Sequence, residues 1–134
     1  MDNYRRTSHA KYSLKIHLIF VTKYRKKLFK DKNLNRDVKQ FLYDICNEKG
    51  FRILQMETDK DHIHILLEYK SKYSVSEIAK ILKQYSTDKM WKAHELTLAK
   101  HYWKRRILWP EGYFACSIGQ VSQSTIEEYI KNQG

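Results

Sequence analysis

The stretch Asp61-His62-Ile63-His64-Ile65-Leu66-Leu67 sets two imidazoles two residues apart inside a run of bulky aliphatics. Such a run favours a β-strand, and a strand sends successive side chains to opposite faces. His62 and His64 therefore share one face, while Ile63, Ile65 and Leu67 take the other. An imidazole pair fixed side by side on a rigid strand has the donors to hold a metal ion.

The flanking patterns set the fold. Phe51, Ile53, Leu54 and Met56 give a strand-like segment from Phe51 to Glu57, and Thr58-Asp59-Lys60-Asp61 is a polar turn, so this strand and the histidine strand predict a hairpin. Upstream, Val38, Phe41, Leu42, Ile45 and Cys46 recur at helical intervals before Gly50, which predicts a helix over about residues 34–49. Tyr12 to Thr22 alternates Leu14, Ile16, Leu18 and Phe20 against Lys15, His17, Ile19 and Val21, a strand buried on at least one side.

Downstream, Ser74 and Glu77 form a capping-box pattern ahead of Val75, Ile78, Ile81, Leu82 and Tyr85, opening a helix that reaches Trp91 or beyond. His94 to Trp109 is basic and aromatic with weak periodicity, and no element is assigned there. Pro110-Glu111-Gly112 marks a turn, Tyr113 to Ile118 a short strand and Gly119 a break; Ser124 and Glu127 give a second capping-box pattern, opening a last helix through Ile126, Tyr129, Ile130 and Gln133. The order β-α-β-β-α-β-α predicts an α+β fold, an antiparallel sheet with helices packed against it, of ferredoxin-like type. The length suits one domain spanning 1–134.

Composition points to a polyanionic partner. There are 26 Lys+Arg against 15 Asp+Glu, a net charge of +11. Ten basic residues against two acids fall within residues 1–32, and Lys100, Lys104, Arg105 and Arg106 form a second cluster. Tyr4, Tyr12, Tyr24, Tyr102, Trp103 and Trp109 lie among these cations, and aromatic faces stack on unpaired bases. Cys46 and Cys116 read as buried thiols of a reducing compartment. No apolar run approaches the roughly 20 residues that cross a bilayer, and the basic N-terminus lacks a signal-peptide stretch, so no membrane contact and a cytoplasmic location are expected.

Two histidines leave a divalent ion under-coordinated, so a further ligand must come from elsewhere. Tyr129 and Gln133, four apart on the last helix, are presented on the same side. The Gln133 amide oxygen can complete a set that suits Mg²⁺ or Mn²⁺ better than a closed structural zinc. Such an ion polarises a scissile phosphate, and the Tyr129 phenol is then the candidate nucleophile for a covalent phosphotyrosine. A free phenol has a pKa of about 10, so ionisation needs help from the ion or a base that the sequence does not identify. One phosphodiester is exchanged for another, so no nucleotide cofactor is required. This agrees with a chain of only four glycines and no phosphate-cradling loop.

Four segments resemble the single-tyrosine HUH transposases of the insertion sequence 200/605 group, enzymes that move insertion sequences as single-stranded DNA, and their REP-associated relatives. Tyr12-Ser-Leu-Lys-Ile-His17-Leu-Ile-Phe-Val-Thr-Lys23-Tyr-Arg25 is similar to their first strand and basic turn, and Asp61-His62-Ile63-His64 to their HUH motif. Trp109-Pro-Glu-Gly112-Tyr113-Phe114 through Ser117-Ile-Gly119 resembles their last strand and hinge, and Tyr129-Ile-Lys-Asn-Gln133 their catalytic helix. The resemblance implies a ferredoxin-like or RRM-like HUH fold, His62, His64 and Gln133 as metal ligands, and Tyr129 as the nucleophile that keeps the 5′ end of the cut strand. It further implies a homodimer whose catalytic helix can be contributed in trans, with Gly119 in the hinge, and recognition of DNA hairpins near element ends. Lys23, Arg25, Lys26 and Lys27, together with Arg105 and Arg106, are the candidate DNA contacts. Asp61 either supports the ligands from behind or serves as a turn residue, and His17 either neighbours the pair or belongs to the core. A domesticated REP-type nuclease with the same chemistry, and a non-catalytic single-stranded nucleic-acid-binding module, are the competing readings.

Overall fold

The chain begins its first described strand at Leu14, and the structure, a computed structural model, describes residues 14–116 and 123–133. The elements follow as β1 (Leu14–Val21), α1 (Lys32–Lys49), β2 (Arg52–Asp59), β3 (His62–Tyr69), α2 (Val75–Ala99), β4 (Phe114–Cys116) and α3 (Gln123–Asn132). The four strands form one antiparallel sheet in the order β2-β3-β1-β4. This is the ferredoxin-like arrangement that the element order predicts.

The pleat of the two central strands divides the molecule. Leu18 stands opposite Ile65 and Phe20 opposite Ile63. These residues are buried with Val38, Leu42 and Ile45 of α1 and Ile78, Leu82 and Met90 of α2 in one core. Burying a side chain of this size stabilises by about 1.5–3 kcal/mol, so this face fixes the register of the sheet. On the other face, Ile19 and Val21 form a smaller cluster with Ile130, against which Phe114 and Tyr129 pack.

Local chemistry sets the helix ends. The Asp31 side chain accepts hydrogen bonds from the Asn33 and Leu34 N–H groups, so α1 starts at Lys32, two residues before the expected 34. Gly50 closes it with φ +80°, a left-handed conformation natural to glycine. Ser74 and Glu77 exchange both capping-box bonds at the start of α2. By contrast, α3 already includes Gln123, so Ser124 stands inside its first turn rather than framing its start. The hairpin strand β2 runs through Thr58 to Asp59, longer than the sequence pattern indicates, and carries a β-bulge between Ile53 and Gln55. The Tyr12 end of β1 and the strand expected to continue to Ile118, like the Gly119 hinge, fall outside the described residues.

The segment that periodicity could not assign becomes part of the core. Helix α2 continues to Ala99 through a kink at His94, whose Nε2 lies 2.7 Å from an Asp37 carboxylate oxygen of α1. Tyr102, Leu108 and Trp109 then turn inward. Trp91 Nε1 donates to the Ile107 carbonyl (2.8 Å) and Trp109 Nε1 to Ser86 Oγ (3.0 Å). Trp109 is therefore a packing residue, not the base-stacking surface suggested by its basic neighbours.

One turn is strained. Tyr24 (φ 60°) and Arg25 (φ 52°) are consecutive non-glycine residues in the left-handed region, at a cost of order 1–3 kcal/mol each. The turn is clamped from several sides. Tyr102 Oη donates to the Lys23 carbonyl (2.7 Å), Lys23 N–H to the Leu108 carbonyl (2.8 Å), and Thr22 Oγ1 to the Lys26 carbonyl (2.7 Å).

Ile65 has no exposed surface. Replacing it with alanine should lower unfolding free energy by about 2–5 kcal/mol in urea titration, whereas Leu96→Ala, on a residue 83% exposed, should stay within about 0.5 kcal/mol.

Candidate active site

The face of the sheet turned away from the main core carries the chain's concentration of titratable side chains. On β3 the His62 and His64 ring centroids are 4.8 Å apart. The β1 partners of these residues are Val21 and Ile19, and their β2 partners are Asp59 and Glu57. His17 lies diagonally across, its ring centroid 5.5 Å from that of His64, with Cys116 of β4 opposite. Cys116 is half-buried rather than buried as the sequence suggests; Cys46 is buried, its thiol pushed up to about 12.

Asp61 resolves as a supporting group. Its carboxylate lies 2.8 Å from His62 Nδ1 and 3.3 Å from Arg25 Nε. Burial pushes the Asp61 carboxyl up, but the hydrogen bonds from His62 and Arg25 outweigh it and hold the group below its ordinary value. An ionised carboxylate only accepts, so His62 Nδ1 carries a proton and Nε2 is the ring atom left to face a ligand, the arrangement found behind metal-binding histidines. His64 is held neutral: burial, then repulsion from His62 and His17, lower it to about 4 against the opposing Asp59 charge. A neutral imidazole is the ligand form.

These groups open on a cavity of about 690 Å³, lined by Arg25, Glu57, Asp59, Lys60, His62 and His64 among others, and by Glu127, Ile130 and Lys131 of α3. Helix α3 is held over this face by Ile130, buried on Ile19 and Val21. Tyr129 and Gln133 do not line the cavity. The Tyr129 ring packs on Phe114, centroids 5.3 Å apart, on the β4 side of the helix, and burial raises its phenol pKa. Gln133 is half-buried just past the last turn, its N–H bonded to the Ile130 carbonyl. Within one chain the structure thus brings together His62, His64, Asp61 and Arg25, in a cavity whose lining includes neither Tyr129 nor Gln133. Among the described residues no three His, Cys, Asp or Glu side chains converge to hold an ion. The imidazole pair fits a divalent cation as a half-site that needs further oxygen donors.

Glu57 and Asp59 are the site residues that sequence reasoning missed. Alternation read without the bulge assigns Met56 and Thr58 to the histidine face, and Asp59 looked like a turn residue. Of the candidate DNA contacts, Lys26 and Arg105 line a groove of about 420 Å³ with Tyr24, Tyr102 and Trp103. Lys23 Nζ sits 5.3 Å from the Tyr24 ring centroid, and Lys27 is exposed. Arg106 pairs with Glu95 (3.0 Å) over the Trp91 ring, so part of the second basic cluster is neutralised. No helix among the described residues is long and apolar enough to cross a membrane.

Comparison with known proteins agrees with this architecture. Residues 10–133 match the family model for IS200-like transposases. The chain is 32% identical over 133 residues to the transposase for insertion sequence element IS200 of Salmonella typhimurium, covering 99% of this chain and 85% of that one. It is 29% identical over 122 residues to the ISDra2 transposase TnpA of Deinococcus radiodurans, covering 91% and 85%. A crystal structure of a Deinococcus radiodurans protein assigned as a transposase superposes with a TM-score of 0.81 at 30% identity, over 91% of this chain and 92% of that one. A REP-associated tyrosine transposase bound to a REP hairpin shares the fold, with a TM-score of 0.55 at 9% identity over 89% and 63% of the two chains.

Ile130 is the buried anchor of α3 on this face. Ile130→Ala should speed amide hydrogen exchange across 123–133 by about tenfold or more while leaving β3 amides unchanged.

Proposed function

The chain belongs to the IS200-like transposase family, and we propose that it cleaves and rejoins single-stranded DNA by transesterification at the His62–His64 face. The observation that carries this reading is the pair itself: two imidazoles on one face of a central strand, one oriented by an ionised Asp61 and the other neutral. His62 Nε2 and a ring nitrogen of His64 would hold Mg²⁺ or Mn²⁺, with the Gln133 amide oxygen as a further ligand. When bound, that ion supplies Lewis-acid polarisation of the scissile phosphate.

In this reading the Tyr129 phenolic oxygen attacks the phosphorus in line. The new bond joins tyrosine to the 5′ phosphate, the P–O3′ bond breaks, and the phenol's proton ends on the released 3′-hydroxyl. The reverse attack by another 3′-hydroxyl rejoins the strands. Lys60 and Lys131, lining the same cavity, would neutralise phosphates beside the break. Tyr129 packs on Phe114 within its own chain, which favours a homodimer in which each α3 serves the histidines of the other copy. Hairpin DNA is the proposed substrate, by extension from the neighbour bound to a REP hairpin. Lys23, Lys26, Lys27 and Arg105 are the proposed contacts.

Incubating the protein with hairpin-bearing single-stranded DNA and Mn²⁺ should give a covalent adduct that survives a denaturing gel. Tyr129→Phe should form none, and His64→Ala should abolish cleavage while leaving hairpin binding within about threefold, since a ligand contributes to chemistry more than to phosphate contacts. Undiminished adduct with Tyr129→Phe would remove the tyrosine from its role. Binding without adduct under every metal condition would favour a purely binding module.

A further inference from the structure

The strained turn at Lys23–Arg25 serves two cavities at once. Tyr24 and Lys26 line the aromatic groove, together with Tyr102, Trp103, Lys104 and Arg105. Arg25, between them in sequence, points the other way, lines the histidine cavity and bonds Asp61. Asp61 in turn bonds His62. Tyr24 and Trp103 are 64% and 74% exposed, large aromatic faces among cations. Unpaired bases stack on such faces while phosphates meet the flanking Lys and Arg.

Resting on the function proposed above, the geometry points to Arg25 as a positioning residue through which single-stranded DNA seated in the Tyr24–Trp103 groove strengthens divalent-cation binding at His62 and His64. Tyr24 and Arg25 are both left-handed in this turn, and their side chains enter different cavities. A relaxed turn would withdraw the Tyr24 ring from the groove and the guanidinium from Asp61 together. DNA stacked on Tyr24 binds only the clamped form, and that form holds Asp61, hence the His62 ring, in place. The two ligands therefore favour the same state, and linkage makes the effect reciprocal.

The test is a Mn²⁺ titration followed by electron paramagnetic resonance, on full-length protein carrying Tyr129→Phe to prevent turnover, with and without a saturating hairpin oligonucleotide that has an unpaired flank. DNA should tighten Mn²⁺ binding about tenfold, and Mn²⁺ should tighten DNA binding by the same factor. Arg25→Gln should weaken Mn²⁺ binding in the absence of DNA and reduce the DNA-induced gain to less than about threefold. Tyr24→Gly removes an exposed ring at a φ that glycine adopts freely, so folding is not at risk. It should leave Mn²⁺ affinity without DNA within about twofold while losing the same gain. If both variants keep the full gain, a direct phosphate contact to the ion accounts for it and the coupling through the turn is overturned. A wild-type protein that forms the covalent adduct but shows no gain overturns the coupling alone; one that forms no adduct and binds no Mn²⁺ overturns the function beneath it as well.

Discussion

The alternating pleat of β3 is the constraint from which the rest of this molecule follows. Ile63, Ile65 and Leu67 are completely buried under α1 and α2, and their burial leaves no freedom of register. Because side chains on a strand alternate, the hydrophobic free energy that fixes three aliphatic residues also fixes the two imidazoles that alternate with them. The histidines need no packing of their own to be held side by side, edge to face, with ring centroids 4.8 Å apart. The main core and the histidine cavity lie on opposite sides of one sheet, so the cavity side can carry charge and open volume without weakening the core.

Around that pair the structure arranges support at increasing distance. Asp61 fixes the His62 tautomer, Arg25 fixes Asp61, and the turn that carries Arg25 is clamped by a backbone bond to Leu108 and by the Tyr102 hydroxyl. The irregular segment after α2 is therefore more than a connection. Its buried aromatics brace the turn that reaches the site. Helix α3 meets the histidine side of the sheet through Ile130, buried on Ile19 and Val21, and through Tyr129 beside it.

Much of this was legible in the sequence. The period-two pattern of Leu14–Val21 and His62–Tyr69, the helical spacing around Val38–Cys46 and the capping box at Ser74 are local signals, and the structure follows each. The paired imidazoles were visible for the same reason. Three features were not. Trp109 and Tyr102 sit among lysines and arginines in sequence, and only tertiary packing turns their rings inward. Glu57 and Asp59 were hidden by an irregularity in pairing that leaves no mark in composition. The place of Tyr129 relative to the histidines depends on how α3 lies across the sheet, which helical spacing does not specify.

The irregularity at Leu54 has a wider meaning, because it acts as a parity switch. Ile53 still faces Leu67, but one residue is inserted before Gln55 meets Leu66. From there to the hairpin tip, every side chain of β2 is exchanged between the two sides of the sheet. Were Leu54 instead paired with Leu66 in regular register, Met56 and Thr58 would flank the histidines, and the Glu57 carboxylate would be turned onto the core face. As built, the edge strand sets two negative charges beside the imidazoles in a protein whose net charge is +11. That one inserted residue is thus what decides whether carboxylates or neutral side chains stand beside the imidazoles.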